Sequence, residues 1–146
     1  MSNIISASAL TCEKILREED GVISAIRIVD LFTVSINPNI PIEQQPVQMS
    51  LLIRVMLAPN DSGDHRLSVK LVRPDGEVAE LGTLFAGKIE TQYPGTPIGL
   101  TLNAGLQIVP RQEGTHYAIA VLDGDEVVKT GFTLRKTRDG DGQDER

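Results

Sequence analysis

The chain is poor in the residues that most often announce a function. Its 146 residues include no Trp, three Phe, two Tyr, two His and one Cys. So few rings leave little material for platforms that stack bases or sugars. A single Cys cannot close an internal disulfide, and one thiol with two imidazoles makes a poor soft-ligand metal site. Positive charge is scarce as well. Fourteen Lys and Arg against 20 Asp and Glu leave a net charge of −6, the wrong sign for a protein that grips phosphates. No stretch reaches the about 18 apolar residues of a membrane span, and Arg54 interrupts the best one, Met49 to Ala58. The first residues carry no basic region ahead of their apolar run, so no secretory signal is expected. These absences predict a cytoplasmic protein that binds neither nucleic acid nor membrane and uses no cofactor or metal.

What is present is an ordinary folding composition, 40% hydrophobic and 23% charged, over one domain's length. The dominant period is two. Val47, Met49, Leu51, Ile53, Val55 and Leu57 line one face of a segment, with Gln48, Ser50 and Arg54 on the other. Ile98, Leu100, Leu102, Ala104, Leu106 and Ile108 repeat the pattern against Thr101, Asn103 and Gln107. Tyr117, Ile119 and Val121 alternate, as do Val128, Phe132 and Leu134. Side chains alternate across a strand, so these are half-buried β-strands. Strands are expected over 4–17, 22–36, 47–58, 65–73, 77–85, weakly over 87–92, and over 98–109, 115–122 and 127–135.

Turn chemistry agrees with this layout. Pro74-Asp75-Gly76 presets φ and supplies a left-handed glycine, which places Arg73 opposite Glu77 and Lys70 opposite Glu80. Glu19-Asp20-Gly21 does the same for the first hairpin, setting Glu13 opposite Arg27 and Cys12 opposite Ile28. Asn60 to Asp64 and Leu122 to Glu126 supply two more connections. Residues 37–46 hold three prolines and should run extended between sheets. The expected fold is all-β, an immunoglobulin-like antiparallel sandwich of about 7–9 strands. Tyr117 stands where such sandwiches place a corner tyrosine, with Ile119 in the core two positions on. The domain should occupy 1–136. Residues 137–146 contain no apolar side chain and read as a disordered tail. Residues 135–146 carry four basic and four acidic side chains, so the net charge belongs to the folded part.

The motif search returns no catalytic set. No phosphate loop, nucleophile elbow or zinc-protease motif occurs. Asp139, Asp141 and Asp144 imitate a calcium loop but lack its glycine, its closing Glu and its flanking helices. Asp61 and Asp64, or Asp123 and Asp125, could hold a cation at a loop tip, although tight turns use the same residues for backbone hydrogen bonds. Cys12 with His65 or His116 could be written as a nucleophile and base, but nothing local would lower the thiol pKa. A buried structural thiol is the expectation.

The most distinctive stretch runs from Cys12 to Asp30, where charges interrupt an otherwise apolar hairpin. Asp30 shares its parity with Ile26, Ile28, Phe32 and Val34. A carboxylate in that row must sit at an edge or be paired, because an unpaired buried charge costs several kcal/mol. Glu13, Lys14, Arg27 and Asp30 form either a recognition patch or a cross-strand salt-bridge set.

The run CEKILREEDGVISAIRIVDLFTV resembles the N-terminal hairpin of a family of small uncharacterised bacterial proteins, a domain of unknown function. The DGEV turn and the closing EGTHYAIAVLDGDEVVKTGFTLR are similar in style, so the resemblance covers about residues 5–135. It implies a β-sandwich of bacterial, cytoplasmic origin and supplies no activity or site residues. Without a catalytic set, the expected role is non-catalytic: an interaction or assembly module that meets a protein partner, or itself, through an edge strand. A homodimer through the N-terminal hairpin is the simplest version. A small-ligand or cation-binding domain is the alternative, and a hydrolase using surface carboxylates ranks third.

Overall fold

The computed structural model describes residues 4–91 and 93–138. Nine strands follow in order: β1 (Ile4–Arg17), β2 (Ile23–Ile28), β3 (Leu31–Ile36), β4 (Val47–Leu57), β5 (Gly63–Val72), β6 (Val78–Ile89), β7 (Ile98–Ile108), β8 (Gly114–Leu122) and β9 (Asp125–Arg138). They form two sheets, ordered β2-β1-β4-β7 and β3-β9-β8-β5-β6. All pairings are antiparallel except β3 with β9. The molecule is an all-β sandwich, and among the described residues no helix is long and apolar enough to cross a membrane.

The alternating rows of β4 and β7 meet as their sequence requires. Met49, Leu51, Ile53, Val55 and Leu57 are buried, and they pack with Leu67, Val69 and Leu71 of β5 and Phe132 of β9. The first hairpin has the expected register, Cys12 opposite Ile28, and Lys70 stands opposite Glu80. The weak segment over 87–92 is largely the end of β6, which runs unbroken to Ile89.

Three expectations are corrected. The single strand over 22–36 is two strands, broken at Val29 and Asp30, where the chain leaves one sheet for the other. Thr11 holds the break, its backbone carbonyl accepting from the Val29 amide (3.0 Å) and its hydroxyl donating to the Val29 carbonyl (2.6 Å). The Asp30 carbonyl accepts from the Thr133 amide at 2.7 Å, so the residue keeps its backbone paired while its carboxylate stays exposed. A continuous strand would have buried that carboxylate in an apolar row. Second, β8 turns the opposite face to the main core: His116, Ala118, Ala120 and Leu122 are buried there, Ile119 is buried as expected but outside the main core cluster, and Tyr117 is exposed beneath the Lys129 ammonium. Small alanines on the buried side made the outer side look the more apolar. Third, residues 37–46 are not extended. A short 3-10 turn at Ile42–Gln44 folds them, and Gln45 donates to the carbonyls of Asn37 and Ile40.

Thr137 and Arg138, expected in the tail, continue β9, and Thr137 donates to the Val34 carbonyl. The remaining tail, 139–146, with its calcium-loop look-alike, lies outside the described residues.

Candidate functional site

The N-terminal hairpin joins one sheet through its first half and projects with its second. Strand β1 pairs with β4 over residues 4–12 and with β2 over 12–17, so its second half extends beyond its pairing with β4. The turn then reaches back over the outward face: a cavity of about 460 Å³ is lined by Val22 and Ile23, by Ser8 and Leu10, by Leu52 and Arg54, and by Thr101. Cys12 shows the effect. It stands opposite Ser50 on that outward face and outside the main core cluster, yet it is fully buried, its thiol 3.7 Å from the Ser50 carbonyl. Burial raises the thiol pKa against a smaller opposing pull from the Lys14 backbone, so the thiolate needed for nucleophilic work is disfavoured.

Two of the four candidate residues come together. The Arg27 guanidinium lies 3.5 Å from the Glu13 carboxylate, an exposed cross-strand pair. Such a pair contributes about 0–1 kcal/mol, enough to bias a register but not to hold a fold. Arg27 also adopts φ +53, a left-handed conformation that only glycine takes without cost, at the penultimate position of β2. Lys14 follows Glu13 directly, is exposed and stands in register with Ile26. Asp30 sits apart at the crossover, beside Thr11, Thr130 and Gly131. Apolar side chains surround it: Ile28 is 66% exposed and Leu31 48%, while Val22 at the hairpin tip is 57% exposed.

Two of the four loop aspartates, Asp61 and Asp123, meet at His65. His65 is buried, with Nδ1 2.6 Å from the Asp123 carboxylate and Nε2 2.7 Å from the Asp61 carbonyl. Asp123 also accepts from the Arg66 amide at 2.8 Å. Burial alone would lower the His65 pKa. The Asp61 carbonyl and the Asp123 carboxylate outweigh it, and the value is raised. Among the described residues no three His, Cys, Asp or Glu side chains cluster to hold a metal ion. Sequence reasoning missed this clamp, although a His four residues after Asp61 was visible.

A second cavity, of about 480 Å³, opens at the far end of the sandwich. Leu71, Leu81 and Ile108 form its apolar wall, and Arg73, Asp75 and Arg111 its polar one. Buried His116 also lines it, stacked on Phe132 with ring centroids 5.3 Å apart and Nδ1 3.1 Å from the Gly114 carbonyl. Burial lowers the His116 pKa. The charged groups here are paired off: Arg73 with Glu77, Asp75 with Gln112, Arg111 with Glu43.

No family model matches the chain, and no curated protein matches it. Solved structures resemble it over part of their length. An alkylpurine DNA glycosylase, AlkC, from Pseudomonas fluorescens, bound to DNA containing an abasic site analog, is similar over 87% of this chain at 11% identity and a TM-score of 0.51. A β-glucosidase from Listeria innocua gives 8% identity and a TM-score of 0.45 in complex with glucose, and 7% and 0.44 with isofagomine, over 89% and 91% of this chain. The chain spans 30% of the glycosylase and 16% of the glucosidase, and the likeness to the glycosylase is one of fold alone.

Proposed function

We infer that the protein is a non-catalytic interaction module whose contact surface is the β1–β2 hairpin with the crossover that follows it. The observation that carries this reading is the exposure of Ile28 and Leu31 on either side of Asp30. A folding sequence gains nothing from large apolar side chains in water, and such groups rimmed by charge are the usual anatomy of a contact site. Glu13, Lys14, Arg27 and Asp30 then supply the polar rim, where charge governs orientation and rate of encounter more than affinity. The immunoglobulin-like assignment belongs to the same proposal, supported by a parallel β3–β9 pairing that ties the early chain to the last strand. So does the bacterial, cytoplasmic setting implied by the family resemblance.

Affinity capture from the native host tests it, with wild-type protein beside Ile28→Asp and Leu31→Asp. Partners retained by wild type and lost by both variants support the reading, and a profile unchanged by either would end it.

The small-ligand reading has one observation in its favour, the cavity beside His116. A thermal-shift panel of metabolites and divalent cations tests it. A shift abolished by His116→Gln would favour it over the interaction module.

A further inference from the structure

Strand β7 closes one sheet and pairs only with β4 among the described residues, leaving the backbone donors and acceptors of every second residue along its eleven open. Folded proteins guard such edges with charge, proline, shortness or bulges. The other end strands follow that rule. β2 and β3 have six residues each, and β2 carries Arg27 at positive φ. β6 is irregularly paired and bears Glu80 and Lys88. β7, with the sequence IGLTLNAGLQI, has no charge and no proline.

Three features of β7 point to what meets this edge. Its apolar positions are symmetric about Asn103: Ile98 mirrors Ile108, Leu100 mirrors Leu106, and Leu102 mirrors Ala104. Leu100 and Leu102 are only half-buried, although their partners on β4, Val55 and Ile53, are completely so. Gly99 and Gly105 have ordinary negative φ and open space where a Cβ would stand, so nothing within this chain requires glycine there. Glycine inside a strand weakens it when unpaired and leaves room on the outer face for a larger side chain on a neighbouring strand.

We propose that β7 pairs antiparallel with β7 of a second copy across a two-fold axis at Asn103, joining two four-stranded sheets into one of eight. Full overlap of the eleven residues keeps buried face on buried face, since the paired positions share parity. Ile98 meets Ile108, Leu100 meets Leu106, and Leu102 meets Ala104. On the outer face each glycine meets a larger side chain, Gly99 against Gln107 and Gly105 against Thr101. Electrostatics favour this edge as well. Two chains of charge −6 repel over most of their surfaces, and here they meet through a strand that bears no charge. The pairing is isologous, each copy offering the same strand, and it leaves Ile28, Leu31 and Asp30 free for the partner proposed above.

Sedimentation of the full chain, wild type beside Asn103→Lys and Ile28→Asp, tests the proposal together with oxidative crosslinking of Asn103→Cys and Gln107→Cys. Wild type is expected at about twice 15.8 kDa. Asn103→Lys sets two like charges across the axis and should raise the dimer dissociation constant about tenfold or more, although it lowers the net negative charge of each chain. Ile28→Asp should leave the mass unchanged. Asn103→Cys should crosslink to itself and Gln107→Cys should not, because residue 107 faces residue 99. A wild-type monomer at all concentrations would overturn the proposal, as would an Asn103→Cys protein that stays uncrosslinked. A dimer lost on Ile28→Asp but kept on Asn103→Lys would also overturn it, moving self-association to the hairpin. Partner capture by a strictly monomeric protein would leave the interaction reading standing while removing this one.

Discussion

Nδ1 of His65 lies 2.6 Å from the carboxylate of Asp123, and the same ring meets the Asp61 carbonyl through Nε2 at 2.7 Å. Both partners are acceptors, and a neutral imidazole has one N–H to give. The ring is therefore satisfied only as imidazolium, and it ties the β4–β5 connection to the β8–β9 turn.

Stability should follow the charge on that ring. The folded pKa is raised above the unfolded value of about 6.5. Below that unfolded value the clamp contributes in full, and its contribution is lost as pH rises through the folded pKa. Asp123→Asn keeps the shape but removes the charge, and should cost about 1–3 kcal/mol at pH 6. The deficit should shrink as pH rises above the folded pKa. Urea unfolding of both proteins from pH 5.5 to 9 gives the difference directly, and the opposite titration of His116 cancels between them. A deficit constant over that range would show that the ring is not charged.

The core should be most sensitive at Phe132. Its ring meets Phe32 edge-on at 6.0 Å and stacks on His116 at 5.3 Å, so it joins β3, β8 and β9. Phe132→Ala should cost about 3–5 kcal/mol, the range for a buried aromatic. Chemical denaturation measures this, with a cost under about 1 kcal/mol placing the ring outside the core.

Gly114 is constrained twice, by φ +122 and by Pro74 Cγ 3.3 Å from where a Cβ would stand. Gly114→Ala should cost about 1–3 kcal/mol through backbone strain. A lowered midpoint with an unchanged denaturant slope would place the effect in the folded state.

The sandwich was largely legible because β4 and β7 keep an unbroken apolar row at every second residue, and the turns at Pro74 and Asp20 set the registers of β5–β6 and β1–β2. What stayed hidden depends on contacts between distant segments. Leu52 and Met56 interrupt the polar row of β4, a signal that something covers the outer face. Only the folded-back hairpin says what does. Asp30 was marked as anomalous by its parity, but an anomaly fits a paired carboxylate as well as a change of sheet. Thr11 and Thr133 decide between them. On β8, Ala118 and Ala120 are too small to advertise a buried face. Of the candidate site, the Glu13–Arg27 pair followed from register, whereas the exposure of Ile28 and Leu31 needed the crossover.

Arg27 separates the hairpin's role in folding from its role in contact. A side chain at φ +53 pays about 1–2 kcal/mol for its left-handed backbone, while its exposed pair with Glu13 returns about 0–1 kcal/mol. Arg27→Gly should therefore leave the melting temperature unchanged or raise it, despite the lost ion pair. Arg27→Val should lower stability by about 1–2 kcal/mol, because a β-branched residue is worst placed in that conformation. Both variants remove the same charge from the proposed contact surface, so both should weaken partner capture to a similar extent. Thermal melts and partner binding measured on the two proteins side by side decide the matter. An Arg27→Gly protein with a lowered melting temperature would refute the strain, and one that binds as wild type does would refute the contact.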